Sequence, residues 1–309
     1  MSQAKFAPIF IMIAATLWAV DALFRTQLTY TIPSTFIVMI EHFIGFLILS
    51  PLIFKYWNDI KNLKKHDWLI LLAMTIVSSV LGTVLFTEAL GRSFAEFDFV
   101  TPILLLKLQP LFVVALSALV LKERISVKFI VLAILALVGS YLISFGFSPI
   151  SLQLAGKELV FILALGAAAS WGTGTILSKH ALKHIPFPAL AGLRMLLAVP
   201  IAYMFSLFLG QAFNPMTIGV GEWWRFLVIA GITGGALAIY LYYKGLQNTP
   251  ARVSTFAELM FPVVSIFIAI TPLNPYGAAQ VLSMANVLGI VILIGSVLMI
   301  SFMGSKHAE

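Results

Sequence analysis

Apolar residues run along this chain in stretches of about twenty positions, separated by short polar joints. Ten stretches come close to the ~20 residues that a helix needs to cross the ~30 Å hydrocarbon layer of a bilayer. They span 6–24, 32–54, 68–90, 97–121, 128–147, 158–178, 185–209, 224–243, 252–273 and 280–303. Phe129 to Phe147, Leu159 to Leu177 and Val281 to Met303 contain no charged residue. This pattern predicts an all-α membrane protein of ten transmembrane helices. Lys5 precedes the first stretch, but Asp21 and Arg25 follow with no small-residue cleavage pattern, so 6–24 reads as a membrane helix rather than a signal peptide.

The stretches form two sets. "AATLWAVDALF" at 14–24 parallels "AAASWGTGTIL" at 167–177, aligning Trp18 with Trp171. The same interval carries Ile32-Pro33 onto Ile185-Pro186, and one residue less carries Pro110 onto Pro262 within "LQPLFVV" and "MFPVVSI". A unit of five helices is odd, so its second copy must enter the bilayer upside down. The expected organisation is a 5+5 inverted repeat, with halves at 1–147 and 156–303 and a cytoplasmic tail at 304–309. Inverted repeats place a substrate site at their interface near the midplane, where rocking exposes it to each side in turn.

Charge placement supports the count. With the N-terminus inside, inner ends and loops hold Lys5, Lys55, Lys61, Lys64, Lys65, Lys122, Arg124, Lys128, Lys179, Lys183, Lys244, Arg252 and Lys306. Outer connections hold only Arg25, Arg92, Lys157 and Arg225. This bias places both termini in the cytoplasm and the protein in the cell (inner) membrane. Hydrophobic residues make up 61% of the 309 positions and charged residues 10%, against about 25% charge in soluble domains. The net charge of +7 is spread over the joints, not gathered in a patch, which argues against nucleic acid as a partner. There is no cysteine, so disulfides, thiolate metal sites and cysteine nucleophiles are excluded. No zincin, phosphate-loop or serine-elbow motif appears, and no cofactor, metal or enzymatic activity is expected.

An ionised group at mid-bilayer costs about 2.5–3.5 kcal/mol on insertion scales, so each one needs a reason. Glu41 and His42 lie about nine residues into the second stretch and Arg194 about as far into the seventh, near ~14 Å in depth. Lys107 is comparably deep in the fourth stretch, and Glu258 lies nearer the inner face in the ninth. One reading is a polar cavity in which Lys107 and Arg194 hold an anion while Glu41 or Glu258 meets an amine or carries a proton. The other is a set of salt bridges that only fix packing. Asp21, Glu88, Glu96 and Asp98 cluster toward the outer face, and Asp21 with Arg25 and Glu88 with Arg92 have the i, i+4 spacing of helix pairs. Glu88 is a second proton-coupling candidate. Trp18 and Trp171 are candidate cavity walls or packing residues, and Tyr240 and Tyr243 candidate wall or interfacial-belt residues.

In their order, these motifs resemble the EamA-type transporters of the drug/metabolite transporter superfamily. The first half offers "LW", "EAL", "LQPLF" and "LKERIS"; the second offers "SWGTGTILSKHAL", "LAGLRMLLA", "GLQNTPA" and "ELMFPVVSIF", then Gly289 and Ser296. The resemblance implies a central cavity lined by helices 1, 3, 4, 6, 8 and 9, with 5 and 10 peripheral. It also implies secondary transport of amino acids or related metabolites, commonly outward. Trp18, Glu88, Lys107, Trp171, Tyr240 and Glu258 fall on the lining helices. Glu41-His42, Lys107 and "TPLNP" depart from the family pattern. The expected function is therefore export of a small polar metabolite (an amino acid or organic acid) by alternating access, as monomer or homodimer. Carriage of organic cations or drug-like compounds through an aromatic-lined acidic cavity is the alternative, followed by a gated channel.

Overall fold

A computed structural model describes residues 6–95, 105–148, 158–272 and 279–305, without the side chains of 93–95, 304 and 305. Among them there is no strand. Ten apolar helices dominate: α1 (Ala7–Leu28), α2 (Ser34–Lys55), α3 (Lys65–Arg92), α4 (Gln109–Leu119), α5 (Val127–Phe145), α6 (Glu158–Ala181), α7 (Phe187–Phe208), α8 (Val220–Leu246), α9 (Ala251–Ala269) and α10 (Met284–Ser305). Among the described residues, nine are long and apolar enough to cross a membrane, and α4 is the shorter one. The expected upstream part of α4, with Glu96 and Asp98, lies outside the described residues, as do Lys5, Lys157, Lys306 and most of "TPLNP". In hydrocarbon every backbone N–H and C=O must be paired inside the protein, and a helix does so within its own segment.

The two halves pack in matching ways. The pairs α2–α7 and α5–α10 each join corresponding helices of the two halves. The remaining main contacts come in exchangeable pairs: α1–α8 with α6–α3, and α1–α9 with α6–α4. Swapping the first five helices for the last five therefore returns the same contact pattern, as expected for a two-fold axis lying in the membrane plane. At the α5–α10 crossing, a Cβ on Gly139 would lie 2.8 Å from the Gly289 carbonyl oxygen, so both positions need the missing side chain for the backbones to approach.

Two kinds of irregularity recur in both halves. The helices α3 and α8 each contain a π-helical turn, Thr75–Gly82 and Ile229–Thr233. The helices of the α4–α9 pair break near their prolines. Residues 107–108 form a turn before Gln109, and residues 258–259 a turn between Ala257 and Met260. Proline lacks an N–H, so Pro110 and Pro262 leave the carbonyls of Leu106 and Glu258 without their helical donors. Broken backbone at membrane depth is tolerated only where protein or a cavity receives it.

Candidate functional site

The breaks in α4 and α9 open onto a cavity of about 190 Å³. A single water needs about 10–15 Å³ measured in the same way, so the space admits a ligand. All helices but α5 and α10 contribute to its wall; α2 and α7 therefore join the six lining helices expected. Aromatic rings stand on two sides. Trp18 lies 5.2 Å from Tyr242, ring centre to ring centre, and Trp171 lies 5.1 Å from Phe86. The Trp171 indole N–H donates to the Ser78 carbonyl at 3.1 Å, inside the π-turn of α3. A π-turn redirects backbone carbonyls away from their usual i+4 donors, and Trp171 uses one of them.

At the breaks the polar groups bond mainly to neutral partners. Glu258 accepts from Gln109 Nε2 at 2.8 Å and from the Tyr242 hydroxyl at 3.0 Å. Thr175 adds a hydroxyl 3.0 Å from the Tyr242 oxygen. Lys107 Nζ donates to Ser140 Oγ at 2.9 Å and to the Ser140 carbonyl at 3.3 Å. No ion pair involves Lys107 or Glu258 among the described residues. Arg194 on α7 is similar: it donates to the Tyr243 hydroxyl at 2.8 Å, and its Nε has no partner among the described residues.

Toward the α1–α2 turn the arrangement differs. Arg25 lies between two carboxylates, 2.6 Å from Asp21 and 2.8 Å from Glu41. Thr233 of the α8 π-turn donates to Asp21 at 3.0 Å. The three side chains are buried, with 4%, 6% and 3% of Arg25, Asp21 and Glu41 exposed. Gly234 lets α8 close over them, since a Cβ there would lie 2.6 Å from an Asp21 oxygen and 2.8 Å from a Glu41 oxygen. His42, next to Glu41, is held by the Val38 carbonyl at 2.8 Å.

Of the eight site candidates singled out in the sequence, Trp18, Glu41, Lys107, Trp171, Arg194 and Glu258 line this cavity, and His42 lies with them. Two do not. Glu88 forms a half-exposed pair with Arg92 at 3.0 Å and accepts from Ser34, outside the wall. Tyr240 packs its ring 5.0 Å from Phe187, and it is Tyr242 that reaches the cavity. A wall that includes Ile239 and Tyr242 leaves position 240 on another face of the helix. Tyr243 is fully buried against Arg194, away from any interfacial belt. The Asp21–Arg25 and Glu88–Arg92 pairs have the predicted spacing, but Asp21 and Arg25 belong to the cavity wall rather than the membrane surface. Gln109 was missed as a site residue, although it stands in the "LQPLF" motif two positions from Lys107.

The profile of the EamA-like transporter family matches residues 5–145 and again 159–302. The chain is 31% identical to a riboflavin transporter, ImpX, of Fusobacterium nucleatum subsp. nucleatum, over 83% of this chain and 86% of that one. It is 25% identical to an uncharacterized transporter of Synechocystis, over 78% of this chain and 68% of that one. A solved crystal structure superimposes with a TM-score of 0.72, covering 97% of this chain and 98% of the other, at 17% identity.

Proposed function

The chain belongs to the EamA-like transporter family, and from that premise we propose that this membrane transporter carries a planar, uncharged heteroaromatic metabolite of the flavin type through its central cavity. The observation that carries the reading is the pairing of two aromatic walls, Trp18–Tyr242 and Trp171–Phe86, with a hydrogen-bonding network at the helix breaks. Flat rings gain about 0.5–1.5 kcal/mol per aromatic contact beyond area burial, and a few convergent polar groups then fix orientation. A relative named as a riboflavin transporter over most of both chains supports riboflavin as the first ligand to test. The two halves, 1–147 and 156–303, rock against each other to expose the cavity alternately. Basic inner connections support a cell-membrane location with both termini in the cytoplasm.

One observation favours a second reading. Lys107 and Glu258 stand at the two helix breaks and form no ion pair among the described residues, which suits the carboxylate and amine of an amino acid, or the carboxylate of an organic acid, exported down its gradient.

Counterflow separates the two. Proteoliposomes preloaded with unlabelled riboflavin are expected to accumulate labelled riboflavin from outside in a saturable manner. Counterflow of amino or organic acids, with none for riboflavin, would replace the first reading by the second. Linear, non-saturable flux of either would indicate a channel.

A further inference from the structure

We propose that Gln109 determines specificity by reading a ligand edge on which an N–H donor stands beside a carbonyl, the edge of a cyclic imide. This rests on the flavin-type reading above. Gln109 Nε2 donates to Glu258 Oε2 at 2.8 Å, so the amide nitrogen faces the carboxyl group and the amide oxygen points elsewhere. The amide has two N–H groups, and Glu258 takes one. Its Oε1 has no protein partner among the described residues, and the side chain lines the cavity. What remains to a ligand is one acceptor and one donor on a planar group whose orientation is fixed from behind.

The fixing runs deep. Glu258 is also held by the Tyr242 hydroxyl at 3.0 Å, and that hydroxyl lies 3.0 Å from Thr175 Oγ1. The Tyr242 ring sits 5.2 Å from Trp18, so the network that orients Gln109 also carries one stacking wall. A ring system resting on that wall presents its edge to the amide. The edge must be a donor–acceptor pair. A carboxylate would set its oxygens against Gln109 Oε1, with the Glu258 carboxylate behind, and acceptors facing acceptors repel. An imide N–H donates to Oε1 while its neighbouring carbonyl takes the free amide N–H, the complementary pattern. A site built to bond such a group rejects an analogue lacking it, because its own buried atoms are then left unpaired.

The test uses the full-length protein in detergent and the quenching of flavin fluorescence on stacking. Riboflavin and N3-methylriboflavin differ only at the imide N–H. Wild type is expected to bind the methylated compound at least about tenfold more weakly, the loss of one hydrogen bond with its acceptor left unpaired. Gln109→Met, close in shape, is expected to weaken riboflavin by a similar factor and to bind both compounds alike. Equal affinity of wild type for the two compounds overturns the role of Gln109 while leaving the flavin reading intact. Absence of riboflavin binding to wild type overturns both. The comparison of the two ligands on wild type stands whether or not the variant folds.

Discussion

The triad near the α1–α2 turn and the breaks in α4 and α9 border the same cavity, yet they treat charge in opposite ways. At the triad, Arg25 touches both acids. At the breaks, Lys107 and Glu258 hydrogen-bond to hydroxyls, an amide and a carbonyl, and neither forms an ion pair among the described residues. Desolvating a charge is costly, and a protein recovers that cost only through close partners. Where the charges are paired, the groups serve the scaffold, even though Arg25 Nη1 and Glu41 Oε2 keep no hydrogen-bond partner among the described residues. Where the partners are neutral, a ligand can supply the opposite charge or a further hydrogen bond. The repeat sharpens the contrast, because Glu41 of the triad and Arg194, whose bonds go to Tyr243 and Ser78, occupy corresponding positions in the two halves.

Removing the centre of the triad should give the largest effect. Arg25→Ala strands two buried carboxylates and is expected to destabilise the protein by about 3–5 kcal/mol, read as a lower unfolding midpoint in detergent. A midpoint equal to that of wild type would erase the distinction between the regions. At the breaks the effect should fall on transport instead. Glu258→Gln frees Gln109 to reorient, and riboflavin flux should drop about tenfold, worth about 1.4 kcal/mol, while the midpoint shifts little. A large loss of stability with normal flux in the surviving fraction would make Glu258 a scaffold residue. Lys107→Met should have the smallest effect. An uncharged ligand does not need the ammonium, so riboflavin flux should stay within about threefold of wild type. Loss of carboxylate counterflow in the same variant, with riboflavin never carried, would favour the amino or organic acid reading.

The ten helices were legible because a bilayer leaves a chain little freedom: length and apolarity decide what spans, and the recurring tryptophans and prolines mark the repeat. Six of the eight singled-out site residues line the cavity because an indole or an ionised group deep in an apolar stretch is conspicuous. Tyr240 illustrates the limit. Its helix passes through the π-turn Ile229–Thr233 and the break at Gly234–Gly235, and each inserted residue turns the following face by about 100°. Only the folded helix shows that Tyr242 is the one facing inward. Gln109 escaped notice because a neutral amide carries a weaker depth penalty than a charge. Its meaning comes from Glu258 on another helix, a contact that no local spacing announces. Arg25 is similar: Asp21 is visible four residues away, but Glu41 reaches it only through tertiary packing.

A ligand seated at the two helix breaks can be detected directly, because the chain contains no cysteine of its own. Leu106 is half-buried on the cavity wall beside Lys107. A single Leu106→Cys substitution should react with a small thiol reagent in proteoliposomes, and saturating riboflavin should slow that reaction at least about tenfold. A cysteine that reacts at the same rate with and without bound riboflavin would place the ligand elsewhere and contradict the account.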